Sequence, residues 1–265
     1  MDDMLIVGVD PAPGKGSTAV EINIKNGKPS ITLCKDKKVL STQELYECIK
    51  EWNKESSVLM AWDAPLTGPS DIEKPWEDHS LTRREIEALV AKKIDRIPGI
   101  SVRGYGGCPH WTISQRMLGL PKLHPAHAGG DFTLIEADSQ KNYLTDHHHV
   151  VEVHPAVAIW QWLQESNNGW RYKGSTKESQ SIRAEFCDRL AAKWKELDLD
   201  IGSILEDAKK SDDVLDALTA AVLAYMWVSN DEKVVLVGNK HKGAWLVPDN
   251  SETKKWGQEL ACPYN

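Results

Sequence analysis

Carboxylates at the ends of short apolar runs are the feature that most constrains the fold of this 265-residue chain. Asp10 ends the apolar run at residues 5–9, and Asp63 ends the run at residues 58–62. Glu152 interrupts a third run near residue 150. A carboxylate in apolar surroundings costs free energy unless it is paired or bound to a cation. The pattern predicts buried strands that present their acidic ends at one edge of a sheet.

A fourth acidic segment lies in a predicted helix that begins at Ser211 and continues to about Trp227. Asp213 and Asp216 are three residues apart, so they lie on one face of that helix. Asp213 is explained equally well as a residue that favours the helix dipole at the helix start. Asp216 lies past the first turn beside apolar neighbours, which favours a functional role.

These acidic segments would repel one another if they converge. Two like charges about 4 Å apart repel by about 4 kcal/mol at an effective dielectric of about 20. Hard divalent cations with oxygen ligands relieve such repulsion, and two-metal phosphodiester hydrolysis uses carboxylates that hold ions ~3.5–4 Å apart. We therefore predict two Mg²⁺ or Mn²⁺ ions. The predicted metal-binding and catalytic residues are Asp10, Asp63, Glu152, Asp213 and Asp216.

The order of predicted elements indicates an α/β fold. The predicted strands lie at residues 4–10, 17–24, 30–34, 58–63 and 150–153, the helices at 41–52, 81–94, 156–164, 178–197 and 211–227, and two short strands at 234–237 and 244–247. An antiparallel meander that leads into strand–helix units gives a mixed sheet with helices on both faces. Residues 97–148 are rich in glycine and proline with weak periodicity, so we predict one domain over residues 1–265 with an insertion there.

Five motifs in this order carry a family resemblance. They are V-G-V-D-P-A at 7–12, W-D-A-P-L at 62–66, E-V-H-P-A at 152–156, D-D-V-L-D-A-L-T-A-A at 212–221 and G-A-W-L-V-P at 243–248. Together they resemble an uncharacterised family of predicted ribonuclease H-like nucleases and, more distantly, the Holliday-junction resolvases. The resemblance implies a ribonuclease H-like fold with central strand order 3-2-1-4-5 and an acidic metal site.

The resolvases carry acidic residues on strands one and four, and D-x-x-D-A on a late helix. The matching residues here are Asp10, Asp63, Asp213 and Asp216. Asp63 stands where the resolvases have the longer Glu. The resemblance therefore implies a metal-dependent nuclease that uses these side chains.

Several residues near the acidic segments are candidates for substrate binding. They are Lys15, Arg83, Arg84, Trp111 and His154. Arg83 and Arg84 open the helix that follows the fourth strand and are placed to contact a phosphate, although a solvated helix face explains them equally well. His154 shares a strand face with the nearby carboxylate, and Trp111 in the insertion offers a surface for base stacking.

Charge and cysteine usage bound the partners and the compartment. The net charge of −7 argues against a broad basic surface for long duplex nucleic acid and favours a short or single-stranded nucleic acid or a nucleotide. Five scattered cysteines without a C-x-x-C pair suggest neither a zinc ribbon nor a disulfide framework. The acidic N-terminus is not a signal peptide, and the apolar stretch at 217–228 is too short to span a bilayer. We expect a cytoplasmic protein with no membrane partner.

Two other functions remain open. One is a nucleotide- or metabolite-binding protein of the same fold without hydrolytic activity. The other is an ATP-dependent phosphotransferase of the actin or sugar-kinase type, in which Asp10, Gly14, Gly16 and Thr18 would serve the phosphates. A Walker phosphate loop is absent, because five residues separate Gly8 from Gly14 and Lys15 is followed by glycine.

Overall fold

The computed structural model describes residues 3–12, 15–55, 57–66, 83–102, 114, 117–118, 132–135, 148–166, 168–229, 232–239 and 242–261. The strands are β1 (Met4–Asp10), β2 (Thr18–Lys25), β3 (Lys28–Leu33), β4 (Val58–Trp62), β5 (Thr133–Leu134), β6 (His148–Glu152), β7 (Val234–Asn239) and β8 (Gly243–Pro248). The helices are α1 (Thr42–Trp52), α2 (Glu85–Ile94), α3 (Pro155–Leu163), α4 (Lys177–Trp194), α5 (Gly202–Ala208), α6 (Asp212–Val228) and α7 (Ser251–Ala261). A short 3-10 turn, Cys34–Asp36, joins β3 to the segment before α1.

The main sheet of the described residues has the strand order β3-β2-β1-β4-β6-β5. β1, β2 and β3 pair antiparallel, whereas β1, β4, β6 and β5 run parallel. The predicted order 3-2-1-4-5 is confirmed, since β6 is the fifth strand predicted from the sequence. β5 adds an edge strand that we did not predict. The arrangement is a mixed α/β sheet of the ribonuclease H-like kind, and β7 and β8 form a separate antiparallel pair.

Helices cover both faces of this sheet, as predicted. β1 shows why, because its side chains alternate between two apolar clusters. Leu5 and Val7 pack in the cluster that contains residues of α1, and Ile6 packs in the cluster that contains α3, α4 and α6. The sequence of a strand that is buried on both faces is a continuous apolar run, and residues 5–9 have this pattern.

Local signals set several element ends. Ser41 caps α1, since its hydroxyl accepts a hydrogen bond from the Glu44 amide over 3.2 Å and the Glu44 carboxylate accepts one from the Ser41 amide over 2.8 Å. The prediction missed α5 and α7. For α7 a signal was present, because Thr253, Trp256 and Leu260 recur at helical spacing and are all buried.

Two expectations lie largely or partly outside the described residues. Most of the predicted insertion at 97–148, including Trp111, belongs to the part of the chain that the structure does not describe. The predicted helix start at residues 81–82 also falls there, and α2 as described begins at Glu85. Within the described residues, no helix combines the length and the apolar character needed to cross a bilayer.

Candidate functional site

Two aspartates lie side by side at the carboxyl end of the main sheet. β1 and β4 are parallel neighbours in which Val9 pairs with Trp62. The Asp63 amide donates a hydrogen bond to the Val9 carbonyl oxygen over 2.9 Å. Asp10 ends β1 and Asp63 directly follows β4, so the structure brings these two predicted site residues to the same edge.

Helix α6 brings Asp216 to this edge because it packs directly on β1. Gly8 permits the contact, since a Cβ atom at that position would lie 2.1 Å from the Ala217 carbonyl oxygen and 2.8 Å from the Ala221 Cβ. Asp216 is 1% exposed, and Asp213 lies one turn nearer the helix start and is partly exposed. The two helical carboxylates therefore sit at different depths beside the sheet edge.

Burial and neighbouring carboxylates raise the pKa of Asp10, Asp63 and Asp213. Burial raises the pKa of Asp10 well above its usual range, and the charges of Asp63 and Asp216 raise it further. Burial also raises the pKa of Asp63 to about 8; the charge of Lys173 opposes this shift and that of Asp216 adds to it. Burial and neighbouring carboxylates of α6 raise the pKa of Asp213. Ionisation of all these carboxylates together is therefore unfavourable unless a further cation compensates them.

One ammonium group lies among these carboxylates. Lys173 Nζ is 2.6 Å from Asp216 Oδ2, and the buried Tyr172 hydroxyl donates a hydrogen bond to Asp216 Oδ1 over 2.6 Å. The Lys173 side chain is 51% exposed. Desolvation lowers the pKa of Lys173, but the charges of Asp216, Asp63 and Asp10 outweigh it and raise the pKa well above the usual range. Lys173 is therefore a permanent cation at this edge.

Neither Lys173 nor Tyr172 is among the predicted site residues. Both lie in the loop between α3 and α4, which Arg183 of α4 holds by donating hydrogen bonds to the carbonyl oxygens of Tyr172 over 2.6 Å and Gly174 over 3.1 Å. Gly174 has a φ of 105°, which lets the chain turn directly after Lys173. The sequence pattern that could have drawn attention to this loop is Lys173 followed by the turn residue Gly174 and the helix cap Thr176. That signal does not say which sheet edge the loop approaches.

Glu152 lies near this edge, but four donors occupy its two oxygens. Oε1 accepts hydrogen bonds from Arg84 Nη2 and, over 2.7 Å, from Trp245 Nε1. Oε2 accepts from Arg84 Nη1 and from the Leu66 amide, each over 2.8 Å. Arg84 is fully buried and also pairs with Glu87. Glu152 and Arg84 thus join β6, β8, α2 and the segment after β4, so we assign both as positioning residues and not as groups that face a ligand.

Two predicted phosphate contacts lie on the surface. Arg83 is exposed, and its Nη2 donates a hydrogen bond to Asp95 Oδ2 over 2.7 Å. Lys15 is also exposed, and its positive charge lowers the pKa of Asp213 slightly against the larger effects of burial. Of the two exposed residues, Lys15 is therefore the one whose charge acts on a predicted site carboxylate.

His154 follows β6 and is electrically neutral. Burial lowers its pKa to about 3, and the positive charges of Lys173 and Arg84 act in the same direction. Its ring lies 4.9 Å from the Trp245 ring, and its buried Nδ1 has no hydrogen-bond partner within the described part of the chain. His154 can accept or donate a hydrogen bond here, but it does not supply positive charge.

The carboxylate oxygens at this edge of the sheet are suitable ligands for a hard cation, but the carboxylates are not close enough together to coordinate one. Asp10, Asp63 and Asp216 offer carboxylate oxygens, and the Lys173 ammonium offsets only part of their negative charge. Among the described residues, no group of three or more His, Cys, Asp or Glu side chains is placed to hold a metal ion. A bound cation would require these carboxylates to approach one another.

Comparison with known proteins adds one family match. No curated protein and no solved structure matches the chain. Residues 132–242 match a family described as a protein of unknown function, DUF429. The matched part contains Glu152, Lys173, Asp213 and Asp216, whereas Asp10 and Asp63 precede it. The chain is therefore similar to DUF429 over the segment that supplies the helical carboxylates and the lysine of the site.

Proposed function

We propose that this protein is a phosphodiester hydrolase that depends on divalent cations. The observation that carries the proposal is that Asp10, Asp63 and Asp216 come from separate elements to one edge of the sheet, where Lys173 pairs with Asp216 and its charge acts on the other two. When ionised together, these carboxylates carry more negative charge than Lys173 offsets, so a divalent cation would compensate them and could also bind a substrate phosphate. The resemblance to predicted ribonuclease H-like nucleases supports the same reading.

Asp10, Asp63 and Asp216 would hold the cation, with the partly exposed Asp213 at the rim. The two predicted Mg²⁺ or Mn²⁺ ions, if held there, would supply an activated water and charge stabilisation at the leaving oxygen. The Tyr172 hydroxyl donates a hydrogen bond to Oδ1 of Asp216, and Lys173 contacts Oδ2 of the same carboxylate. The carboxylates therefore bind and orient, and none of them needs to act as a strong base.

Lys173 would contact the substrate phosphate. Its side chain is half exposed and its ammonium is charged at every physiological pH. The exposed Lys15, whose charge acts on Asp213, would add a second positive charge along a phosphate chain. With a net charge of −7 on the whole protein, two local lysines suit a short or single-stranded nucleic acid or a nucleotide better than a long duplex.

A second candidate is a nucleotide- or metabolite-binding protein without hydrolytic activity. The ion pair between Lys173 and Asp216 favours it, because the ammonium already stands where a cation would compensate that carboxylate. In that case the neutral His154 and the charged Lys173 would recognise a phosphate without chemistry. The two candidates differ in whether Mn²⁺ binds and whether a phosphodiester is cleaved.

Thermal melting and a cleavage assay separate the candidates. For the hydrolase we expect millimolar Mn²⁺ to raise the Tm relative to chelator, because a ligand of the native state adds about 2.7 kcal/mol at a hundredfold excess over its Kd. Asp10→Asn should leave the metal-free fold intact, because it replaces a buried carboxyl group whose pKa is raised, and should abolish both the Mn²⁺ response and the cleavage of short single-stranded oligonucleotides. Asp188→Asn is the matched control, because Asp188 lies on α4 with a 66% exposed side chain.

The outcomes are distinct. Cleavage that needs Mn²⁺, survives in the Asp188 variant and is lost in the Asp10 variant supports the hydrolase. Stabilisation by nucleotides but not by Mn²⁺, without cleavage, supports the binding protein. If neither Mn²⁺ nor any nucleotide changes the Tm, both proposals are wrong.

A further inference from the structure

Two buried cysteines lie in direct contact, away from the sheet edge that carries Asp10, Asp63 and Asp216, which we call the acidic edge. Cys34 begins the 3-10 turn after β3, Cys48 lies on α1, and their Sγ atoms are 2.9 Å apart. Each residue is 2% exposed. A disulfide has an S–S length of about 2.05 Å, so less than about 1 Å of movement separates this contact from a covalent bond. We propose that Cys34 and Cys48 are a modification site that forms a reversible disulfide on reaction with hydrogen peroxide.

The turn that begins at Cys34 is strained and faces solvent. Lys35 and Asp36 have φ values of 53° and 55°, in the left-handed region that non-glycine residues seldom adopt. Residues 35–39 are all exposed. A segment with few buried contacts opens locally at a lower free energy than the sheet beneath it. A molecule as small as hydrogen peroxide therefore has a route to the sulfur atoms.

The surroundings give the two thiols different roles. The hydrogen bond between the two thiols lowers the pKa of Cys48 against the effect of burial, and the charge of Lys35 also lowers it. The same hydrogen bond, burial and the nearby Glu21 raise the pKa of Cys34. The thiolate is the reactive form of cysteine. Cys48 is therefore the nucleophile, and Cys34 is the thiol that resolves the product.

The chemistry balances with one peroxide. The Cys48 thiolate attacks one oxygen of hydrogen peroxide, the O–O bond breaks, and the hydroxide that leaves takes up a proton to become water. Cys48 is now a sulfenic acid. The Cys34 sulfur attacks the Cys48 sulfur, the S–O bond breaks, and the hydroxyl group leaves with the Cys34 proton as a second water. Two thiols have lost two electrons to peroxide, and a dithiol reductant reverses the change.

The crosslink would tie the end of β3 to α1 beside the start of β2. The segment between the cysteines contacts β2, because the Thr18 hydroxyl donates a hydrogen bond to the Lys38 carbonyl oxygen over 2.6 Å. Thr18 pairs with Asp10 across β1 and β2. Closing the loop from residue 34 to residue 48 restricts the unfolded chain, so we expect oxidation to raise the Tm by about 6–12 °C.

Peptide mapping of the full chain tests the proposal directly. The reduced protein is treated with a small excess of hydrogen peroxide, free thiols are blocked with N-ethylmaleimide, and the protein is digested with trypsin. Cleavage after lysine gives peptides 26–35 and 39–50, which carry Cys34 and Cys48. The expected result is one species that joins these two peptides with the loss of two hydrogens, disappears on reduction and accompanies the higher Tm.

Single variants separate the two roles. In Cys34→Ser, dimedone should trap a sulfenic acid at Cys48, whereas Cys48→Ser should leave Cys34 unlabelled. Cys187→Ser is the control, because Cys187 is buried without a cysteine partner in the described chain and burial raises its pKa to about 12. The proposal fails if wild-type mapping, which needs no variant, shows both peptides alkylated after peroxide, or shows either cysteine linked to another partner.

Discussion

Replacing Gly8 by alanine tests the packing that builds the acidic edge. A Cβ atom at this position would lie 2.1 Å from the Ala217 carbonyl oxygen and 2.3 Å from the Ala221 amide nitrogen, whereas ordinary contact begins near 3.4 Å. Both atoms belong to the backbone of α6, so no side-chain rotation relieves the clash. Helix α6 would have to move away from β1 by about 1.3 Å.

The size of the effect follows from this displacement. Overpacking a well-packed core costs about 1–3 kcal/mol, and we expect about 3 kcal/mol here because strand and helix are both rigid. For a chain of this length the Tm should fall by about 6–12 °C. The shift also moves Asp216 by about 1 Å relative to Asp10, and a misplacement of that size can cost about 10²-fold in rate.

Urea unfolding followed by circular dichroism measures the stability, and melting with and without Mn²⁺ measures the site. Gly257→Ala is the matched control, since it also adds one methyl group to a glycine, but on the outer part of α7 where no atom lies within 4 Å. We expect that change to be neutral or to stabilise by up to about 1 kcal/mol. If Gly8→Ala keeps wild-type stability and Mn²⁺ response, α6 does not depend on this contact and the reasoning is refuted.

Two further predictions concern buried charge. Arg84→Met should lower the free energy of unfolding by about 3–5 kcal/mol, because it leaves the buried carboxylates of Glu87 and Glu152 without their cation. Arg83→Met, at the exposed neighbour, should change the free energy of unfolding by less than about 1 kcal/mol. Equal urea midpoints for the two variants would contradict this assignment. The metal-free protein should lose stability as pH rises from about 4 to about 8, because Asp63 holds its proton up to a pKa of about 8 in the folded state but releases it near 3.8 when unfolded. Melting over a pH series checks this, and a slope that stays the same in Asp63→Asn would show that another group is responsible.

Local patterns in the sequence determined most strands and helix starts and the positions of Asp10 and Asp63 at strand ends, but they did not reveal β5, α5 or α7. The apolar runs that end in Asp10 and Asp63 are complete within a few residues, so their placement at the carboxyl ends of buried strands follows from periodicity and turn chemistry. The order of strands and helices then restricted the topology to a mixed sheet, which the structure confirms.

Only the tertiary structure decided which side chains meet. Lys173 reaches Asp216 across 43 residues of chain, and Glu152 is occupied by Trp245 from 93 residues away. Such pairs depend on how loops return to the sheet edge, and no local preference encodes that path. The same holds for Cys34 and Cys48, which look scattered in the sequence and touch because the turn after β3 folds over α1. Periodicity predicts which face of an element is buried, whereas the identity of the partner on that face depends on the three-dimensional packing of the whole chain.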